Sequence, residues 1–355
     1  MTVLANYCLI SIFRNAQLLL GILFLWSGCS YPNLVNTFSG STMGTTYSIK
    51  IISQNPLQDP SEIKNWIDSV LTIVNMQMST WIPNSEISQF NFNQSVDPFP
   101  VSETFANVVR TSLEISQKTD HYFDVTVFDL MRLWGFGPNP KSGLPSHEEI
   151  QKVLNYTGSK IISFENGSLI KNNPATKLDL NAIAKGYAVD EVFHFLRFKG
   201  YSDLFVEIGG EVRCLGRNQK NKYWSIGVEN PPVGKKLDRT FAAIIYSDGG
   251  SIATSGNYRN FVDMDGDIIG HTINPKTGYP VQTNILSVTV QSKSCMIADA
   301  WATALMAMEY ELGVKIVSEN PEIKAIWILG AKDGTRRIAS SHGVQIEDSI
   351  YEIIR

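Results

Sequence analysis

Cysteine is scarce in this chain and scattered where it occurs: Cys8, Cys29, Cys214 and Cys295 form no CxxC pair and have no histidine at ligand spacing. That excludes a disulfide framework and argues against a zinc site. Blocks of one charge are also missing. Thirty Lys and Arg face 34 Asp and Glu, for a formal charge of −4, and no Lys/Arg run stands out. Nucleic acid as the main partner is disfavoured, because neutralising its phosphates needs clustered cations; a smaller polyanion is compatible if a metal ion helps to hold it. There is no GxxxxGK[ST], and Gly209-Gly210 makes no dinucleotide fingerprint, so P-loop and Rossmann readings fail. Asp263-Met264-Asp265-Gly266-Asp267 fails as a calcium loop, because Ile268 takes the glycine position. What is present is an ordinary globular balance, 43% hydrophobic and 18% charged over 355 residues, enough for one large domain or two moderate ones.

The first thirty residues read as a targeting segment. Arg14 precedes the apolar run Leu18 to Trp26, which is too short to span a bilayer and has signal-peptide proportions. Ser27-Gly28-Cys29 resembles a bacterial lipobox, with Trp26 where such signals usually carry Leu; a plain secretory signal or an uncleaved anchor is the simpler alternative. The expected organisation is a signal peptide over 1–28, a lipid on Cys29, a polar tether over 29–38 and one folded domain over 39–355. The protein would then be exported.

Strand and helix signals alternate irregularly beyond the tether, without repeats. Tyr47–Ile52 has strand character, and Ser61 is the expected cap of a helix carrying Ile63, Ile67, Leu71 and Val74. Ser102 and the capping box Ser146-His147-Glu148-Glu149 open two further helices, and Asn181–Phe198 forms a fourth. Strands are expected at Leu204–Ile208, Val212–Gly216, Trp224–Val228, Phe241–Tyr246 and Leu286–Gln291, with hairpin turns at Asp265-Gly266 and Asp333-Gly334 and a last helix over Ile297–Tyr310. The class is α+β with mostly antiparallel sheets.

Four segments could carry chemistry. Ser251–Arg259 and His271–Pro280 read as polar, glycine-dense loops whose backbone N–H groups suit phosphate, although Pro-Lys-Thr-Gly is also a good turn. Asp299 and Thr303 stand at i and i+4 near a helix start, a hard-oxygen pair suited to Mg²⁺, although Asp is common there for the helix dipole alone. Asp179 and Lys185 flank a strand-to-helix turn where amides and an ammonium could receive phosphates. His271 is the one histidine within a motif, and imidazole titrates near neutral pH, as a general base requires.

Taken together and in order, these segments resemble the ApbE-type FAD:protein FMN transferases. The resemblance begins at Gly40-Ser41-Thr42-Met43-Gly44-Thr45-Thr46-Tyr47 and continues through Met78–Glu86, Tyr122–Thr126 and Leu133–Gly137. It ends with Asp179–Asp190, Glu207–Glu211 and the two C-terminal motifs, so it covers nearly the whole mature chain. It implies FAD contacts at Met43, Trp81 (more often Tyr in the family), Tyr122, Phe123, Asp124, Asp179, Lys185 and Ile273. It implies Mg²⁺ ligands at Ala182 (through its carbonyl), Asp299 and Thr303. Asn181 and Asn274 depart from the usual Ser/Gly and Asp. The reaction implied moves FMN from FAD onto a Thr or Ser hydroxyl of a target protein, releasing AMP. The alternatives are a non-catalytic FAD-binding lipoprotein and a Mg²⁺-dependent FAD pyrophosphatase. Family targets are outward-facing subunits of membrane redox pumps, which points to the periplasmic face of the inner membrane, although Ser30 would permit outer-membrane sorting.

Overall fold

A nine-stranded sheet forms the backbone of the fold in the computed structural model, which describes residues 33–232, 240–256, 261–264, 267–331 and 333–354. Its spatial order is β1 (Leu34–Thr42), β2 (Thr45–Ser53), β6 (Asp203–Ile208), β7 (Glu211–Leu215), β10 (Gly249–Gly256), β13 (Ile285–Ser292), β14 (Lys324–Gly330), β15 (Arg336–Ser340) and β17 (Glu352–Ile354). Among the described residues only β15 and β17 pair in parallel; every other neighbour is antiparallel. A second sheet, of β8 (Trp224–Glu229), β9 (Phe241–Ser247) and β16 (Asp348–Ser349), packs on one face. A third joins β3 (Phe99–Pro100), β4 (Ile162–Glu165) and β5 (Ser168–Lys171), and β11 (Phe261–Met264) pairs with β12 (Asp267–Gly270). This is the expected α+β class.

Period-2 alternation decides which face each residue serves. In β14, Ala325 and Trp327 enter the main core while Ile326 and Ile328 enter the core under the small sheet. In β10, Ile252 and Ala253 divide the same way. The main core lies between the nine-stranded sheet and helices α1 (Pro60–Met78), α3 (Glu103–Lys118), α6 (Ala184–Phe198) and α7 (Cys295–Met306). Shorter helices are α2 (Glu86–Phe92), α4 (Phe128–Leu133), α5 (His147–Leu154) and α8 (Tyr310–Ser318). A satellite cluster of Leu130, Trp134, Ile150, Val153 and Ile273 seats the 271–281 loop beside α4 and α5. No helix among the described residues is long and apolar enough to cross a membrane.

Ser102 and Ser146 cap α3 and α5 as expected, the latter with its full capping box. Several boundaries move. Asp59 caps α1, with Pro60 at its first position, while Ser61 Oγ donates to Asp59 Oδ1 at 2.6 Å. Helix α6 starts at Ala184, because Ile183 and Ala184 both donate to Leu180 O in a preceding turn. The expected Ile297–Tyr310 helix is two helices, α7 and α8, broken after Met306. Ser251–Gly256 is no loop but most of β10, a central strand whose Thr254 Oγ1 lies 2.8 Å from Thr289 Oγ1 on β13. The tether is also shorter than expected. Residues 34–38 already pair with β2, with Phe38 buried and Asn36 Nδ2 donating to Ser53 Oγ at 3.0 Å. The signal segment, Cys29, residues 257–259 of the Ser251–Arg259 segment and the Asp265-Gly266 turn lie outside the described residues.

Candidate active site

One cavity of about 1020 Å³ gathers every site residue expected from the sequence within the described chain. That volume suits a large small molecule, at the upper end of ordinary ligand pockets. Two kinds of wall meet in it. The first is apolar and aromatic. Met43 and Gly44 form the two-residue tip of the β1–β2 hairpin, both in the left-handed region at φ 49° and 70°. Such a turn matches strand twist, but it costs a non-glycine residue roughly 1–2 kcal/mol. Asn75 of α1 steadies it, its Nδ2 donating to Thr42 Oγ1 at 2.9 Å. Trp81, just beyond α1, is 63% exposed, so a large flat ring is left open for stacking. Tyr122 lies under Lys276, whose Nζ is 4.3 Å from the ring centre and 2.7 Å from Asp120 Oδ2, tying the 120–124 segment to the 271–281 loop.

Within Tyr122-Phe123-Asp124 the three side chains differ. Phe123 is buried in the main core, and Asp124 uses its carboxylate internally. Asp124 Oδ1 accepts from Thr126 N and Oγ1 at 2.8 and 2.6 Å, and Oδ2 accepts from Ser159 N at 2.7 Å. Burial raises the Asp124 carboxyl from its ordinary value while these donors pull it down. Asp179 is likewise buried and raised, with Oδ1 accepting from Asn181 N at 2.8 Å. Ile273 is fixed by an antiparallel bridge to Pro280, and Asn274 Oδ1 accepts from Lys276 N at 2.9 Å to make the Pro-Lys-Thr-Gly segment a compact turn. His271 is half-buried, edge-on to Phe136 with ring centres 6.4 Å apart.

The second wall is charged. Helix α6 begins at the cavity without a side-chain cap, so its amide end favours anions there. Lys185, in its first turn, stands 3.0 Å from Glu211 Oε1 and 3.6 Å from Asp299 Oδ2. Asp299 lies inside α7 beyond the first turn and is buried, so the end of its own helix does not explain it; its Oδ2 accepts instead from Gly186 N, a first-turn amide of α6, at 3.0 Å. Thr303 Oγ1 is 3.2 Å from Ser255 Oγ at the end of β10. Burial alone would lower the Lys185 ammonium, but Asp299 and Glu211 outweigh it and hold it well above its ordinary value. Burial pushes the Glu211 carboxyl up, against the pull of Lys185.

No group of three His, Cys, Asp or Glu among the described residues is placed to hold a metal. The donors expected for Mg²⁺ are instead a mixed set on the cavity wall: the Ala182 carbonyl, the Asp299 carboxylate and the Thr303 hydroxyl. All are hard oxygens, and two buried carboxylates, Glu211 and Asp299, face a single ammonium, so the centre has room for positive charge. Residues that the sequence left without a role are Glu211, which pairs with Lys185, Gly186, whose N–H donates to Asp299, and the β10 pair Thr254 and Ser255, which line the same cavity, Ser255 beside Thr303. Gly186 is required by contact. A Cβ there would sit 2.3 Å from Cys295 O and 2.8 Å from Asp299 Cβ. Gly186→Ala should therefore force α6 and α7 apart, costing about 1–3 kcal/mol as an overpacked core does. Thermal unfolding should register that loss, together with a fall in activity; an unchanged melting temperature would contradict the contact.

An α+β frame that joins an aromatic wall to a lysine–carboxylate centre in one large cavity defines a site for a flat ring system carrying phosphates. The chain belongs to the ApbE family, whose model matches residues 43–327. It is 40% identical over 329 residues to the FAD:protein FMN transferase of Vibrio cholerae serotype O1, covering 92% of this chain and 97% of that one. It is 33% identical over 318 residues to the enzyme of the same description from Escherichia coli K12, covering 86% and 89%. The solved flavin transferase ApbE from Vibrio cholerae superposes with a TM-score of 0.80 at 39% identity, over 88% of this chain and 98% of that one. The apo flavinyl transferase ApbE of Pseudomonas stutzeri does so at 0.78 and 32%, over 87% and 95%. The fold is that of the ApbE flavin transferases.

Proposed function

We propose that this protein is a Mg²⁺-dependent FAD:protein FMN transferase, which attaches FMN through a phosphoester to a Thr or Ser hydroxyl of a target protein and releases AMP. The observation that carries the reading is the meeting of Met43, Trp81 and Tyr122 with Lys185, Asp299 and His271 in one cavity. The flavin lies against the aromatic wall, where Trp81 stacks and Met43 packs. Lys185 and the amide end of α6 take negative charge from the pyrophosphate. Ala182, Asp299 and Thr303 would hold Mg²⁺, which supplies further neutralisation of the phosphates when bound.

The acceptor oxygen attacks the FMN-side phosphorus and forms a new P–O bond. The bond from that phosphorus to the bridging oxygen breaks, and AMP departs with the oxygen and the electron pair. The hydroxyl proton passes to the His271 imidazole. Positioning and charge carry such a transfer, because phosphoryl groups need little covalent help. Incubation with FAD, Mg²⁺ and a candidate target, followed by intact-mass measurement and AMP assay, tests it. A target that gains one FMN supports transfer. Free FMN and AMP without a mass gain would instead indicate a pyrophosphatase, and no AMP a carrier.

The protein is placed at the periplasmic face of the inner membrane by a lipid on Cys29, where its targets are subunits of membrane redox pumps. Support comes from the apolar run before Ser27-Gly28-Cys29. Cys29→Ser should abolish acylation and leave an unprocessed or soluble protein in fractionation. Normal processing with unchanged membrane partitioning would contradict the anchor.

A further inference from the structure

Glu211 stands in the charged wall with a share of the work that no expected ligand set gives it. It is buried, it opens β7, and its two oxygens are used differently. Oε1 pairs with Lys185 Nζ at 3.0 Å, while Oε2 is buried without a hydrogen-bond partner. Asp299 Oδ2, the other carboxylate near that ammonium, is farther from it at 3.6 Å and accepts its hydrogen bond from Gly186 N. One ammonium therefore has two buried carboxylates to choose from, and it sits against Glu211.

That choice matters because Asp299 has a second claimant. A carboxylate bound to an ammonium is a poorer ligand for a divalent ion, since the two cations repel across a weakly screened site. We propose that Glu211 is a positioning residue: it holds the Lys185 ammonium off Asp299, leaving the Asp299 carboxylate to the divalent cation and the ammonium to the pyrophosphate. The inference rests on Asp299 being a cation ligand, as argued under the function above. In this arrangement Glu211 would act through Lys185 and would contact neither the cation nor the reacting atoms. With both carboxylates ionised, the centre carries one negative charge in excess, from two carboxylates and one ammonium. Removing Glu211 alone cancels that excess and frees Lys185 to turn onto Asp299. Removing Glu211 and Lys185 together restores it and deletes the competitor.

Binding of Mn²⁺ to the full-length protein, followed by electron paramagnetic resonance at fixed pH without FAD, tests this independently of transfer. Glu211→Gln should weaken Mn²⁺ binding tenfold or more. The double variant Glu211→Gln/Lys185→Met should return to within about threefold of wild type, the non-additivity expected of coupled neighbours. Lys185→Met alone should bind Mn²⁺ at least as tightly as wild type, and this measurement stands even where Glu211→Gln fails to fold. A double variant as weak as Glu211→Gln would make Glu211 a direct ligand and overturn the proposal. So would a Glu211→Gln protein with wild-type affinity, or a Lys185→Met protein that binds more weakly. Wild-type protein that binds no Mn²⁺ would sink the cation assignment of Asp299 along with it, whereas failures confined to the variants leave that assignment standing.

Discussion

Asp299→Asn should transfer no measurable FMN while remaining folded. The substitution keeps the shape of a buried side chain inside α7 and removes its charge. The amide keeps an oxygen that can still accept from Gly186 N, the bond the carboxylate now receives at 3.0 Å. Its loss of charge leaves Lys185 paired with Glu211 alone, which relieves the crowding of two carboxylates rather than stranding a charge. Thermal stability should therefore change little. The functional loss should be large, because a hard cation loses the one anionic oxygen among Ala182, Asp299 and Thr303. Rates read from the mass of a flavinylated target, over a range of Mg²⁺, give the comparison. Activity within tenfold of wild type at low Mg²⁺ would remove Asp299 from the site.

His271→Asn should lower transfer about 10²–10⁴-fold, the usual contribution of a positioned general base. FAD binding should persist, since the proposed FAD contacts are Met43, Trp81, Tyr122 and Lys185 rather than the imidazole. The wild-type rate should fall on the acid side as an imidazole gains its proton, and that limb should vanish in the variant. Flavin fluorescence measures the binding and the pH–rate profile measures the step. If the variant transfers at near wild-type rate with the same profile, His271 is a packing partner of Phe136 and the base must be sought elsewhere, first at Asp179.

Local signals were legible wherever one short-range rule decides the outcome. The Ser102 and Ser146 caps, the end of α6 at Phe198 and the strands with clean alternation all follow from contacts within a few residues. Ser251–Gly256 was not legible, because Ser, Thr and Gly weigh toward turns. What makes them a strand is pairing with β7 and β13 on both sides, which is a property of the sheet. Residues 34–38 were missed for a related reason. Their outward Leu34 and Val35 and their polar neighbours resemble a tether until β2 supplies the partner. The site shows the same division. Motif residues were found through the family resemblance, and Glu211 stood within the Glu207–Glu211 motif, yet nothing along the chain gave it a role. Only the crossing from β6 to β7 sets it against the first turn of α6. Asp299 was found for an incomplete reason: its spacing to Thr303 holds, but its burial and its bond to Gly186 could not be seen along the chain.

The first hairpin also sets a distance. Strand β1 starts at Leu34 and ends at Thr42, next to Met43 at the cavity, and nine strand residues span about 30 Å. With a lipid on Cys29, the chain from there to Leu34 adds at most about 18 Å. The flavin-binding mouth would then work at a bounded height above the bilayer, fixed by a stiff ribbon rather than by a long leash. An acceptor hydroxyl close against the headgroups would be out of reach unless its own loop rose to meet the hairpin tip. Lengthening the four-residue spacer between Cys29 and Leu34 should therefore change which targets are modified without altering the chemistry at the cavity.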